Sequence, residues 1–194
     1  STAIDIEPFD NGAHLFLTIE FRRDNPHEVS VGTYCHDDSA ELDHVILTAT
    51  MGNYARLRKL RLARDDVSAA DLWPDFSGDA FAPHRRFARD TLCSSDGTDV
   101  LLEAISDEAD ASAAQYSEDT APHWKYEGKS ALQYGRCQDP PDEIYAQVNG
   151  RVYYWAGQAA GHSPIPGGIS FENVELVAPF VPGQRFTFGV RPLS

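Results

Sequence analysis

Apolar and polar residues alternate along most of this chain, the two-residue period of half-buried β-strands. In residues 13–23, Leu15, Leu17, Ile19 and Phe21 fall on one face, and Phe16, Thr18, Glu20 and Arg22 on the other. Residues 29–35 and 45–51 are rich in β-forming side chains. After Gly52-Asn53, the run 54–62 places Tyr54, Arg56 and Arg58 on one face and Ala55 and Leu57 opposite. The phase slips at Lys59, because Leu60 and Leu62 continue the apolar set. One extra residue in a strand is a β-bulge.

Residues 65–75 have room for one helical turn, and 79–89, with Pro83 inside, read as irregular. Residues 99–106 read as a largely buried strand, and 130–137 as another. The runs 143–148 and 151–156 flank Asn149-Gly150, which suits a hairpin with a type I′ turn. Residues 169–177 form a further strand. Pro182-Gly183 then turns the chain into 184–190, where Phe186, Phe188 and Val190 are expected to face inward. No stretch carries a long amphipathic helix. About ten short strands with turn signals between them predict an all-β fold. The expected architecture is one domain over residues 1–194, an antiparallel two-sheet sandwich, jelly-roll-like, with long irregular loops. The acidic, Ala/Ser-rich stretch 107–122 reads as a mobile loop within it.

Charge narrows the partners. The chain has 30 acidic against 16 basic residues, a formal net charge of -14. Such a surface repels phosphate backbones, so nucleic acid is not an expected partner. No apolar run reaches the roughly 20 residues needed to span a bilayer, so neither is a membrane. No charged, apolar leader remains at the start, which fits a trimmed chain or a mature secreted one, and an extracellular or periplasmic setting is expected over a cytoplasmic one. The cysteines, Cys35, Cys93 and Cys137, allow one disulfide and a free thiol, or three buried thiols. No Cys-x-x-Cys is present, and no organic cofactor is expected. Hard oxygen ligands in the acidic loops would suit a structural Ca²⁺.

Four groups of residues carry candidate chemistry. His123, Trp124, Lys125 and Tyr126, followed by Lys129, Gln133, Tyr134 and Arg136, combine aromatic rings with cations and an amide. Rings stack on the apolar face of a pyranose while polar groups bond its hydroxyls. Tyr54, Arg56 and Arg58 would form one wall of a groove on a concave sheet, or a solvated face on a convex one. His84, followed by Arg85 and Arg86, offers a base in a loop. Tyr145, Gln147 and Asn149 share a face of the expected hairpin, with Arg151, Tyr153 and Trp155 on its partner; one of its two faces must be core. Glu172 and Glu175 are three residues apart, which in a regular strand places them on opposite faces. Glu103 stands alone on its strand.

The alternation Tyr54, Arg56, Arg58, with Tyr126, Lys129 and Tyr134 on a later strand pair, resembles in style the sites of jelly-roll polysaccharide lyases. Those enzymes set Arg, Gln, His and Tyr across a concave sheet. The resemblance spans two strands, and the Gln-Ile-His tripeptide of one such family is missing. Together these features lead to a carbohydrate-active sandwich that cleaves a glycosidic bond in a poly- or oligosaccharide by elimination or hydrolysis. In the elimination version, Arg56 or Arg58 neutralises a uronate carboxylate. His123 or His84 takes the α-proton, and Tyr126 or Tyr134 protonates the leaving oxygen. Tyr54, Trp124, Lys129, Gln133, Tyr153 and Trp155 would bind the sugar. Two other readings stay open: a carbohydrate-binding module without catalysis, and an assembly subunit of a homo-oligomer.

Overall fold

The computed structural model describes residues 1–50, 57–107, 132–154, 163–165 and 168–192. Its strands are β1 (Thr2–Asp5), β2 (Leu15–Arg22), β3 (Asn25–Cys35), β4 (His44–Thr50), β5 (Leu57–Arg61), β6 (Val67–Ser68), β7 (Arg85–Ala88), β8 (Asp99–Ser106), β9 (Leu132–Gln138), β10 (Tyr145–Arg151), β11 (Tyr153–Tyr154), β12 (Ser163–Pro164), β13 (Ser170–Pro179) and β14 (Arg185–Arg191). A single helical turn, α1 (Ala69–Leu72), starts at Ser68, whose side chain accepts from Asp71 N at 3.0 Å. That is the ordinary N-cap arrangement.

Two antiparallel sheets face each other without closing into a barrel. The large sheet runs β1-β2-β3-β14-β9-β8-β5-β6, the small one β4-β13-β10-β7, and β11 pairs with β12 apart from both. Six links, β3 to β4, β4 to β5, β6 to β7, β7 to β8, β9 to β10 and β13 to β14, cross from one sheet to the other. Between the sheets lies a core of Leu57, Leu60, Leu102, Ala146, Val148, Phe171, Val174, Leu176 and Phe186, with Trp73 closing one end. β8 is buried at every position, as its near-continuous apolar run predicts for a strand covered on both faces.

The expected slip in β5 is present: its register against β8 shifts between Leu57 and Lys59, so Leu57 and Leu60 both reach the core. The expected hairpin at Asn149-Gly150 is overturned. Both residues lie inside β10, which runs on to Arg151 between β13 and β7. Gly150 is absent from the positive-φ residues a type I′ turn would need. Its lack of a side chain serves packing instead: a Cβ there would meet Ser170 O at 2.8 Å and Trp73 Cζ3 at 3.0 Å. Residues 79–89 are less irregular than expected, since Arg85–Ala88 forms an edge strand. Of the three residues expected to face inward in β14, Phe186 is buried, Phe188 half-buried and Val190 39% exposed. All three cysteines are free thiols. Among the described residues no helix is long and apolar enough to cross a membrane. Of the acidic stretch 107–122, only Asp107 is among the described residues.

Candidate functional site

The outward face of the small sheet carries polar groups in register. Thr48 of β4, Glu175 of β13, Gln147 of β10 and Arg86 of β7 are cross-strand partners, one from each strand. Paired residues share a face, so the four side chains stand in a row. Alternation explains why they point away from the core: Leu176, Val174, Ala146 and Val148, their chain neighbours, all fill it.

Glu175 is the centre of this row and is 8% exposed. Thr48 Oγ1 donates to it at 2.9 Å, and Gln147 Nε2 donates to its other oxygen. His84 Nε2 lies 3.8 Å from Glu175 Oε2, a charge contact rather than a hydrogen bond. Asn149 Nδ2 is 3.3 Å from the same His84 nitrogen, and Asn149 Oδ1 accepts from Asn173 N at 3.1 Å. His84 Nε2 is therefore met by a carboxylate and an amide. Neutral, it accepts from Asn149; protonated, it turns its charge to Glu175. Arg86 lays its guanidinium 4.9 Å from the centre of the Tyr145 ring. Tyr145 also borders a cavity of about 640 Å³ that continues past the end of this face.

A second carboxylate shares the face because β13 is irregular. Val148 pairs with Val174, but Gly150 pairs with Phe171, so three steps in β13 match two in β10. The extra residue is a β-bulge. Phe171 and Val174, three apart, both enter the core. Glu172 and Glu175, the residues that follow each of them, both leave it. The expectation that these glutamates lie on opposite faces is corrected by that one residue. Their surroundings differ. Burial pushes the Glu172 carboxyl above the ordinary range, and Arg151, at 3.7 Å, opposes it without cancelling it. Glu175 instead sits among hydrogen-bond donors. Arg151 is itself placed with its guanidinium 5.0 Å from the centre of the Phe81 ring.

No protein-family model matches this chain, and no curated protein or solved structure matches it either. The chemistry must therefore be read from the side chains alone.

Of the residues singled out from sequence, His84, Arg86, Tyr145, Gln147 and Asn149 enter this site. Tyr134 and Gln133 lie on β9, in the other sheet. Tyr134 points outward, since its neighbour Gly135 faces Leu176 across the core. His84 and Tyr134 thus stand on opposite sides of the sandwich and cannot share one sugar. Tyr134 lies flat across β14 because Gly189 offers no side chain: a Cβ there would come within 2.3 Å of the phenol. Its hydroxyl donates to Glu28, and burial first, then Glu28, holds it protonated well above the usual phenol range. Tyr134 and Gln133 both line a separate cleft of about 370 Å³. Glu103 is not alone in space: Arg61, from the neighbouring strand β5, and Arg191, from β14 two strands away, both bond it. Arg58 is engaged, its Nη1 at 3.4 Å from Asp107 and its Nη2 donating to Gly168 O at 3.3 Å. Tyr153 is half-buried in β11. Tyr54, Arg56, His123, Trp124, Tyr126, Lys129 and Trp155 lie outside the described residues.

The glutamates of β13 were visible in sequence only as isolated carboxylates within an apolar strand. The bulge that unites them has no residue signature.

Proposed function

We propose that this protein is a carbohydrate-active β-sandwich that hydrolyses a glycosidic bond on the outward face of the small sheet. The observation that supports this reading is the pair Glu172 and Glu175, two carboxylates on one face in unlike surroundings. Glycoside hydrolysis needs one carboxyl kept protonated as acid and one ionised as base or nucleophile. Burial suits Glu172 to the acid role. Donors from Thr48 and Gln147 suit Glu175 to the ionised one. Three residues span about 10 Å along a regular strand and somewhat less across a bulge, well beyond the roughly 5 Å of retaining enzymes, so the reading is an inverting mechanism.

In the proposed reaction, Glu175 takes a proton from water as its oxygen attacks the anomeric carbon. The bond from that carbon to the leaving oxygen breaks, and Glu172 protonates the oxygen. His84, held by the buried Asn149, faces Glu175 and bonds a sugar hydroxyl, while Tyr145 offers a ring for a neighbouring sugar. The jelly-roll-like reading of the sandwich rests on the six links that cross between sheets. In an elimination mechanism the pair Tyr134 and His84 is unsuited, because the two stand on opposite sides of the molecule, while His123 and Tyr126 lie outside the described residues.

The test is incubation with a panel of neutral and uronic polysaccharides, reading reducing ends and ultraviolet absorbance. Hydrolysis gives reducing ends without absorbance, and Glu172→Gln or Glu175→Gln lowers kcat about 10²- to 10⁴-fold. Absorbing, unsaturated products would favour the lyase reading. Binding without products would leave a carbohydrate-binding module. No response to any glycan would sink the proposal and turn attention to an assembly role.

A further inference from the structure

A second constellation sits in the other sheet, at one end of β1, β2 and β3. His14 precedes β2 and His36 follows β3. The register Leu15↔Cys35 sets them opposite each other, and His36 N donates to His14 O at 2.9 Å. Asp5, the last residue of β1, pairs with Phe16 and so shares their face. One nitrogen of each histidine and one oxygen of Asp5 lie within 4.8 Å of one another. The surroundings hold these side chains in place. His14 N donates to Ser39 Oγ at 3.0 Å, and Ala40 N to Gly12 O at 2.8 Å, which closes the strand ends. The His36 ring leans on Phe16 at 5.1 Å, and Phe16 stacks on Tyr34 at 4.8 Å.

Two surface ion pairs would be the plain account, since Asp38 lies 2.7 Å from His14 Nδ1 and Asp5 2.7 Å from His36 Nε2. The two ring centroids are only 4.0 Å apart, which brings a nitrogen of each ring close to the same Asp5 oxygen. Exposed ion pairs add little to stability, so they do not by themselves account for two histidines and a carboxylate converging at one strand end. Neutral imidazole is the common ligand for borderline divalent metals, and Ca²⁺ does not take it. Asp38 then takes an outer role: by accepting from Nδ1 it fixes the tautomer that leaves the other His14 nitrogen able to bind metal.

We propose that Asp5, His14 and His36 form a site for a divalent transition-metal ion of the zinc class, which ties the edge strand β1 to the β2–β3 hairpin. All four residues of β1 are exposed, and among the described strands β1 is hydrogen-bonded to β2 alone. A metal link at Asp5 therefore acts on the strand with the least other support. Asp5 needs only to exchange its contact with His36 for the ion, and water completes the coordination.

The test uses the whole chain, stripped with a chelator and titrated with Zn²⁺ by calorimetry, with Tm and amide exchange read in parallel. One Zn²⁺ is expected to bind per chain, raising Tm and slowing exchange across β1. Ni²⁺ and Co²⁺ should act similarly, and Ca²⁺ and Mg²⁺ should not. His14→Gln and His36→Gln are each expected to weaken Zn²⁺ binding at least tenfold, His44→Gln and Cys35→Ser to leave it unchanged. Histidine ring signals of the unaltered protein give a reading that no misfolded variant can confuse: Zn²⁺ should perturb His14 and His36 first. Absence of Zn²⁺ binding, its survival in the double histidine variant, or an equal response to Ca²⁺ would each overturn the site.

Discussion

Replacing Gly150 with Ala tests whether Asn149-Gly150 is a packed strand interior or a turn. The new Cβ would stand 2.8 Å from Ser170 O, 3.0 Å from Trp73 Cζ3 and 3.2 Å from Ile169 Cγ1. Ser170 O belongs to the paired strand β13, and Trp73 has little room to retreat. It is 4% exposed, donates from Nε1 to Pro83 O at 2.9 Å, and meets Phe171 edge-on at 5.8 Å. Gly150 O also accepts from Ala82 N at 2.8 Å, so a shift of this strand disturbs the loop beyond it. Overpacking a tight core costs about 1–3 kcal/mol. Against that, alanine restricts the unfolded chain and returns about 0.4–1 kcal/mol. The net expectation is a loss of about 1–2 kcal/mol, or roughly 2–8 °C in Tm for a chain of this size. A turn glycine at positive φ would give a similar loss, so the deciding experiment is a double-mutant cycle with Trp73→Phe, read by urea denaturation. If the ring is what alanine strikes, the smaller ring reduces the cost of Gly150→Ala by on the order of 1 kcal/mol. Equal costs in both backgrounds, or no cost in either, would refute the packing argument.

Other consequences follow from the same contacts. Asp99 accepts from Ser94 Oγ at 2.8 Å and from Ser95 N at 2.7 Å; burial raises its pKa, but these bonds outweigh it and the net direction is down. A lowered carboxylate stabilises the fold above its unfolded value of about 3.9 and loses that support as pH falls through the folded one. Asp99→Asn should cost about 1.5–3 kcal/mol at neutral pH and flatten the acid limb of a stability–pH curve. Glu172 runs the other way: its raised pKa means stability is greatest below the unfolded value and declines as pH rises through the folded one, and Glu172→Gln should remove that decline. Gly189→Ala should push the Tyr134 phenol off Glu28, costing about 1–3 kcal/mol and bringing its ultraviolet titration back toward the ordinary range. Cys137, fully buried with its thiol pushed up to about 11, should react with thiol reagents only on unfolding.

The strands were legible where their burial is simple. β8 reads as an unbroken apolar run and is buried throughout, and the phase slip in residues 54–62 marks the real irregularity in β5. Asn149-Gly150 misled because its local preference is for a turn, while pairing with β13, the bond from Ala82 N to Gly150 O and the close approach of Trp73 impose a strand. Local propensity yields to tertiary packing and pairing. The site was less legible for a related reason. His84 stands out by residue type, but its partner Glu175 is about 90 residues away in sequence, and only pairing between strands brings them together. Tyr134 and Gln133 have the right types in the wrong sheet.

The bulge in β13 joins these observations into one argument. A strand that must feed Phe171 and Val174 into the same core has to gain a residue between them, and doing so turns Glu172 and Glu175 to one side. Packing thus produces the pair of carboxylates as a by-product of filling the core, and burial then separates their properties. Gly150 stands opposite Phe171 in the same irregular stretch, so its missing side chain, the Trp73 ring and the placement of Glu172 are parts of one local structure. A change at Gly150 that disturbs packing should therefore also disturb the chemistry proposed for Glu172, whereas a change at Gly189, on the other sheet, should alter stability alone.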